Sequence, residues 1–289
     1  MTEFNLEKQG NEKYNLEDTM QVLQKLIAPG GCPWDRVQTN ESIRRNMIEE
    51  AYEAVDAIDS GDEVRMKDEF GDVLLQVLLH AVIAEKNEKF NFLDITDNLC
   101  RKMISRHTHI FGEDSAGTAE DSLEIWEKNK KKEKDISSFS DMLKDLPHNL
   151  PTLMRAEKIQ KRAAKSGFDW ENAKGAKDKI EEEFKEIEDV LVENNKPLYD
   201  KLDQTKEPVI YDMLEDEIGD MLFAVVNYIR LLGIDPEIAL NRSNEKFIRR
   251  FSAMEKYAGE RQLNFTDLSL CEMDELWAHV KMEERNEIG

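Results

Sequence analysis

The 289-residue chain carries 62 acidic and 40 basic side chains, a formal net charge of -22, with 40% hydrophobic and 35% charged residues. That length holds two modest domains, each with a core of its own, while the charge repels nucleic acid over most of the surface and leaves a polyanion dependent on a local basic patch. The longest apolar stretch, Val73 to Ala84, is interrupted by Gln76 and His80 and is too short for a bilayer, so no membrane partner is expected.

The Met1-Thr2-Glu3-Phe4 start lacks the basic-then-apolar pattern of a signal peptide. Cys32, Cys100 and Cys271 are odd in number and without a Cys-x-x-Cys pair, which argues against a disulfide framework or a thiolate zinc site and fits a reducing cytoplasm. In chain order, helical apolar spacing covers residues 16 to 28 and stops at Ala28-Pro29-Gly30-Gly31. Helices are predicted around 40 to 59, 63 to 86 and 92 to 106, with the turn Ser60-Gly61-Asp62 between the first two. Asp135 to Pro151 reads as a connector with one short helix, Phe139 to Leu143, placing domains at 1–135 and 151–289 around a 136–150 linker. The second half repeats the order, with helices around 153 to 165, 175 to 194, 208 to 232 and 236 to 258. Strand-like alternation is nearly absent, so the fold class is all-α.

The two halves share an acidic pattern. The first has Glu49, Glu50 and Glu53, then Glu69-Phe70-Gly71-Asp72 entering an apolar run; the second has Glu182, Glu183 and Glu186, then Glu217-Ile218-Gly219-Asp220 entering another. Residues three apart are neighbours on a helix surface, so each pair can converge on one point, and four carboxylates at one point need a cation. Oxygen-only donors suit Mg²⁺ or Mn²⁺. In so acidic a chain such spacing recurs by chance as solvated helix face. Position raises it: Val73 to Ala84 is apolar all round, as in a helix buried on every side, and Ile48, Tyr52 and Val55 oppose the acids on the preceding helix as though both faces met protein. Gly71 and Gly219, each about 1 kcal/mol worse than Ala in a helix, suggest close approach of another backbone or a ligand.

The repeat extends to Gly31-Cys32-Pro33-Trp34-Asp35 against Gly167-Phe168-Asp169-Trp170, Lys102 and Arg106 against Lys246 and Arg250, and Trp126 against Trp277. Fifteen residues separate Glu53 from Glu69 but thirty separate Glu186 from Glu217, which reads as a surface insertion over 194 to 213. Without the acids, Lys246, Arg250 and Trp277 would be ordinary helix-end cations and a core tryptophan. The absence of a Glu-x-x-His pair disfavours a ferritin-type di-iron bundle.

Glu-Glu-x-x-Glu followed by Glu-x-Gly-Asp, with Gly-Cys-Pro-Trp-Asp upstream and Asn244-Glu245-Lys246-Phe247-Ile248-Arg249-Arg250-Phe251 downstream, resembles the two-domain form of the MazG nucleoside triphosphate pyrophosphohydrolases. The resemblance implies tandem all-α bundles that dimerise and Mg²⁺-dependent cleavage of a nucleoside triphosphate between its α and β phosphates. It implies metal ligands at Glu50, Glu53, Glu69 and Asp72 and at Glu183, Glu186, Glu217 and Asp220, and substrate contacts at Lys179, Lys246, Arg250 and Trp277. Thr108, where the family pattern has proline, and the long insertion depart from it without touching a ligand. Glu49 and Glu182, angled differently on their helices, are candidates for orienting the attacking water. Asn46 stands where the second half has Lys179, so the first repeat is expected to be the weaker catalyst, or a regulatory or dimer-forming bundle that binds without turnover. A metal-binding helical scaffold without activity is the remaining alternative.

Overall fold

A computed structural model describes residues 12–134, 138–198 and 201–288, and every regular element among them is helical. The chain divides into two compact units, Met1–Lys134 and Asp135–Gly289. In the first unit, α1 (Leu16–Ile27), α2 (Arg44–Ser60), α3 (Glu63–Lys86), α4 (Phe92–Arg106), a short α5 (Thr108–Phe111) and α6 (Ala119–Glu133) follow in order. The second unit contains α7 (Phe139–Lys144), α8 (Thr152–Ala164), α9 (Ala173–Glu193), α10 (Pro208–Leu231), α11 (Pro236–Glu260) and α12 (Leu270–Ile288). None is long and apolar enough to cross a membrane.

The turn between α2 and α3 is local chemistry. Gly61 closes α2 in the left-handed region at φ 69°, which costs a glycine nothing, and Asp62 caps α3 by accepting from the amides of Val64 and Arg65. Two residues therefore reverse the chain, and α3 packs back along α2. Ala54 and Ala57, both buried, let the two helices approach closely. α1 lies on α3, and Leu23, Ile27, Ile43, Leu78, Leu79, Val82 and Ile83 form the core.

In the second unit, α9 and α10 make the corresponding pair. Their longer connection is drawn in at its ends by an ion pair between Lys196 and Glu207, and Leu202 and Ile210 pack against Val190, Leu191 and Leu214. The expected surface insertion over 194–213 is thus partly core, with its last residues forming the first turns of α10; residues 199 and 200 lie outside the described residues. The expected 136–150 linker is also more ordered: α7 packs on α8 and buries Met142 and Leu146, while residues 136 and 137 lie outside the described residues. Helices α6 and α12 had no counterpart in the sequence reading.

Two burial expectations are corrected. α3 is buried all round only from Leu78 to Ala84, apart from half-buried His80, for Phe70 and Leu74 near the acids are exposed. Ile48, Tyr52 and Val55 are each about half exposed, so among the described residues the apolar face of α2 is left partly uncovered.

The loop before α9 is held by Asp169, which accepts from Arg230 at 2.5 and 3.1 Å, while Trp170 lies over Gly175 so closely that a Cβ there would fall 2.5 Å from the indole. The Arg230 bonds hold the Asp169 carboxyl below its ordinary pKa, with burial opposing. A lowered folded-state pKa contributes stability above the unfolded value, about 3.9, and loses it as pH falls through the folded one. Asp169→Asn should therefore destabilise the second unit by about 1–3 kcal/mol at neutral pH in urea melts. The deficit should close as pH falls through the lowered folded-state pKa of Asp169.

Candidate metal and phosphate site

The α2–α3 hairpin sets the first site. Glu50 lies eleven residues before Gly61 and Asp72 eleven after it, so at equal rise per residue the two acids come level on adjoining helices. One carboxylate oxygen from each of Glu50, Glu69 and Asp72 falls within 4.8 Å of the others. The matching set in the second unit is Glu183 and Glu186 from α9 with Glu217 from α10. Glu53 and Asp220 lie outside these closest groups, both exposed, although the charge of Glu53 still acts on Glu50. Gly71 and Gly219 meet no close neighbour: a Cβ at either position would have open space for 4 Å, so no backbone of the chain requires them.

The electrostatics fit a site that holds a cation. Burial raises the pKa of Glu50, with Asp72, Glu53 and Glu69 adding to it and the Gln76 amide opposing from 3.4 Å. Partial burial likewise raises Glu186, followed by the charge of Glu183. Such shifts record carboxylates crowded without enough positive charge. The sharpest sign is Glu183, only 4% exposed. Its Oε1 accepts from Lys179 at 2.6 Å, whereas Oε2 is buried with no hydrogen-bond partner. An orphaned carboxylate oxygen among other carboxylates costs several kcal/mol unless a cation completes it, and the all-oxygen donor set suits a hard divalent ion.

Lys179 spans Glu182 and Glu183 at 2.9 and 2.6 Å, and both contacts drive its pKa up. Glu182 thus sits beside the cluster within an ion pair, while Glu49 pairs with exposed Arg45 at 2.8 Å.

The remaining substrate candidates are brought together only in part. Arg250 donates to Glu284 at 2.8 Å, its guanidinium lies 5.6 Å from the Trp277 ring centre, and Phe247 packs on that ring. Lys246 is exposed on α11. The first unit contains the same arrangement: Arg106 grips Glu133 at 2.8 and 3.1 Å and lies 5.1 Å over Trp126. In both halves the glutamate is seven residues after the tryptophan, two helical turns along the same face. This Arg–Trp–Glu clamp ties α4 to α6 and α11 to α12, giving Arg250 and Trp277 a structural task. The sequence reading had paired the arginines and the tryptophans but missed Glu133 and Glu284, whose signal was the shared Trp-x₆-Glu spacing. Arg106→Met, which removes a buried guanidinium from its bidentate pair with the partly exposed Glu133, should cost the first unit about 1–2 kcal/mol in denaturant melts.

The family model of the MazG nucleotide pyrophosphohydrolase domain matches residues 38–111 and 172–254, one segment around each acidic cluster. The nucleoside triphosphate pyrophosphohydrolase of Escherichia coli (strain K12) is 39% identical over 270 residues, 93% of this chain and 98% of that protein. The nucleoside triphosphate pyrophosphohydrolase/pyrophosphatase MazG of Thermotoga maritima is 38% identical over 268 residues, 92% and 95% of the two chains. YabN of Bacillus subtilis, an uncharacterized protein, is 42% identical over 264 residues, covering 91% of this chain and 51% of its own length.

Proposed function

The chain belongs to the MazG nucleotide pyrophosphohydrolase family, and we propose that it hydrolyses nucleoside triphosphates to the monophosphate and pyrophosphate with Mg²⁺, or Mn²⁺ in its place. The observation that carries this reading is the second-unit cluster, where an orphaned oxygen of buried Glu183 faces Glu186 and Glu217 with Lys179 alongside. Glu183, Glu186 and Glu217 would hold the ion, with Asp220, one helical turn after Glu217, as a further ligand, and Glu50, Glu53, Glu69 and Asp72 would do so in the first repeat. Bound divalent cations supply positive charge to phosphate oxygens and acidify a nearby water.

The chain's residues do the rest. Water attacks the α phosphorus, its oxygen bonding there as the α–β bridging oxygen leaves on pyrophosphate. Glu182, beside the ligand Glu183, takes the water's proton, with Glu49 in the same place in the first repeat. Lys179 turns from the carboxylates toward the phosphates one helical turn away, and Lys246, Arg250 and Trp277 bind the tail and nucleoside. For Arg250 this means exchanging Glu284 for a phosphate oxygen. The half-exposed face of Ile48, Tyr52 and Val55 supports a homodimer in which a second copy covers it.

Product analysis is the first test. Monophosphate with pyrophosphate, dependent on Mg²⁺, is expected; nucleoside diphosphate with orthophosphate overturns the reading. The second repeat carries most of the turnover, since Lys179 stands where the first has Asn46. Glu186→Gln should remove most activity and Glu69→Gln much less, and a reversed order would reassign the main site. Lys179→Ala should lower kcat/KM about ten- to a hundred-fold, the worth of one charge-assisted hydrogen bond.

A further inference from the structure

The first repeat lacks the lysine, yet its acids have a cation from the other helix. Asn46 stands four residues before Glu50, as Lys179 stands four before Glu183. On the second helix of each pair the exchange runs the other way: Arg65 stands four before Glu69, whereas Met213 stands four before Glu217. Arg65 Nε lies 3.4 Å from Glu69 Oε1, and its Nη1 lies 2.6 Å from Asp56. Glu69 and Glu217 both belong to the cluster groups, so a side chain one helical turn before either stands beside a cluster carboxylate, as Arg65 does on Glu69. Each cluster thus touches one basic side chain, delivered from opposite members of the helix pair.

Resting on the pyrophosphohydrolase reading above, we propose that the first repeat is itself a polyphosphate-binding site, with Arg65 gripping the phosphates in the role that Lys179 has in the second. A guanidinium carries five N–H donors in a planar fork, so contacts with two carboxylates leave capacity for phosphate oxygens, and its side chain is 40% exposed. Gln76 is a second pointer to a ligand. It is 4% exposed, its amide nitrogen donates to Glu50 at 3.4 Å, and its buried Oε1, an acceptor without a hydrogen-bond partner, would be satisfied by a divalent ion carried in with the polyphosphate rather than by a phosphate oxygen. The matching residue in the second unit is buried Ala224, so the first site has its own polar lining. Asp56 is the internal competitor: an incoming phosphate takes its place on Arg65.

The test is calorimetry of the full chain with inorganic tripolyphosphate and Mg²⁺, which probes the phosphate site without a base preference, against Mg²⁺ alone as blank. The unsubstituted chain should bind two tripolyphosphates and the Glu186→Gln, Glu217→Gln double variant one. In that background Arg65→Met, which installs the second repeat's own residue, should weaken the remaining event at least ten-fold, and Arg65→Lys should recover part of it. Asp56→Asn should tighten it, a gain of function that misfolding cannot produce. The proposal is overturned if the double variant binds none while the unsubstituted chain binds one, or if Arg65→Met and Asp56→Asn leave affinity unchanged; the pyrophosphohydrolase reading then stands. Failure of the unsubstituted chain to bind any would overturn the proposal, while the pyrophosphohydrolase reading is decided by product analysis.

Discussion

Gathering carboxylates at the seam between two antiparallel helices is the constraint on which the rest of the architecture depends. The α2–α3 turn is two residues long because Gly61 and Asp62 stop one helix and start the next, and that brevity brings Glu50 level with Asp72. Alanines 54 and 57 keep the helices close, but closeness also desolvates the acids and raises Glu50. Like charges within 4.8 Å repel in a partly dry environment. Positive charge nearby relieves that repulsion, and the Lys179 ammonium and the Arg65 guanidinium each supply some of it.

The outer helices solve a separate problem. α12 buries Leu276 and Val280 against Met254 and Ala258, an apolar seam with little to fix rotation about its own axis. A planar guanidinium stacked on an indole and held by a carboxylate two turns on supplies direction, since its hydrogen bonds fail when the register slips. The same three residue types do this for α4 and α6. Because Arg250 is both an anchor for α12 and a candidate phosphate ligand, substrate binding and the docking of α12 draw on the same guanidinium. The loss of Arg250 alone therefore does not separate fold from function, whereas Glu284, which accepts from both Arg250 and Arg249, belongs to the anchor alone.

The long helices were legible because their apolar spacing is strong and their ends carry Gly, Pro and Asp signals: α1, α3, α4 and α10 lie within a residue or two of the sequence expectation. The duplicated acids were legible through their order. Burial was harder to read. Val73 to Ala84 is apolar all round, yet Leu74 faces outward, because apolar composition does not say whether the neighbour belongs to the same unit. α6 was missed since a highly charged helix with few apolar positions resembles a loop in composition, whereas α12 does carry helical apolar spacing at Met273, Leu276, Trp277 and Val280 that the reading passed over. Gln76 looked like an interruption of an apolar run, while in the structure it is the polar residue that reaches the acids.

The contrast between Asn46 and Lys179 shows why position-by-position comparison of the repeats underreads them. A cluster built from two helices can be approached from the turn before either acidic pair, and a cation at one approach makes the other dispensable. Lysine and arginine are nevertheless not equivalent in that role. The ammonium of Lys179 is a compact charge close on buried Glu183, able to swing between carboxylate and phosphate, whereas the Arg65 guanidinium is spread between Asp56 and Glu69 and holds by geometry. The two clusters thus draw their nearest basic side chain from opposite members of the helix pair, Lys179 from α9 and Arg65 from α3, and with different geometry.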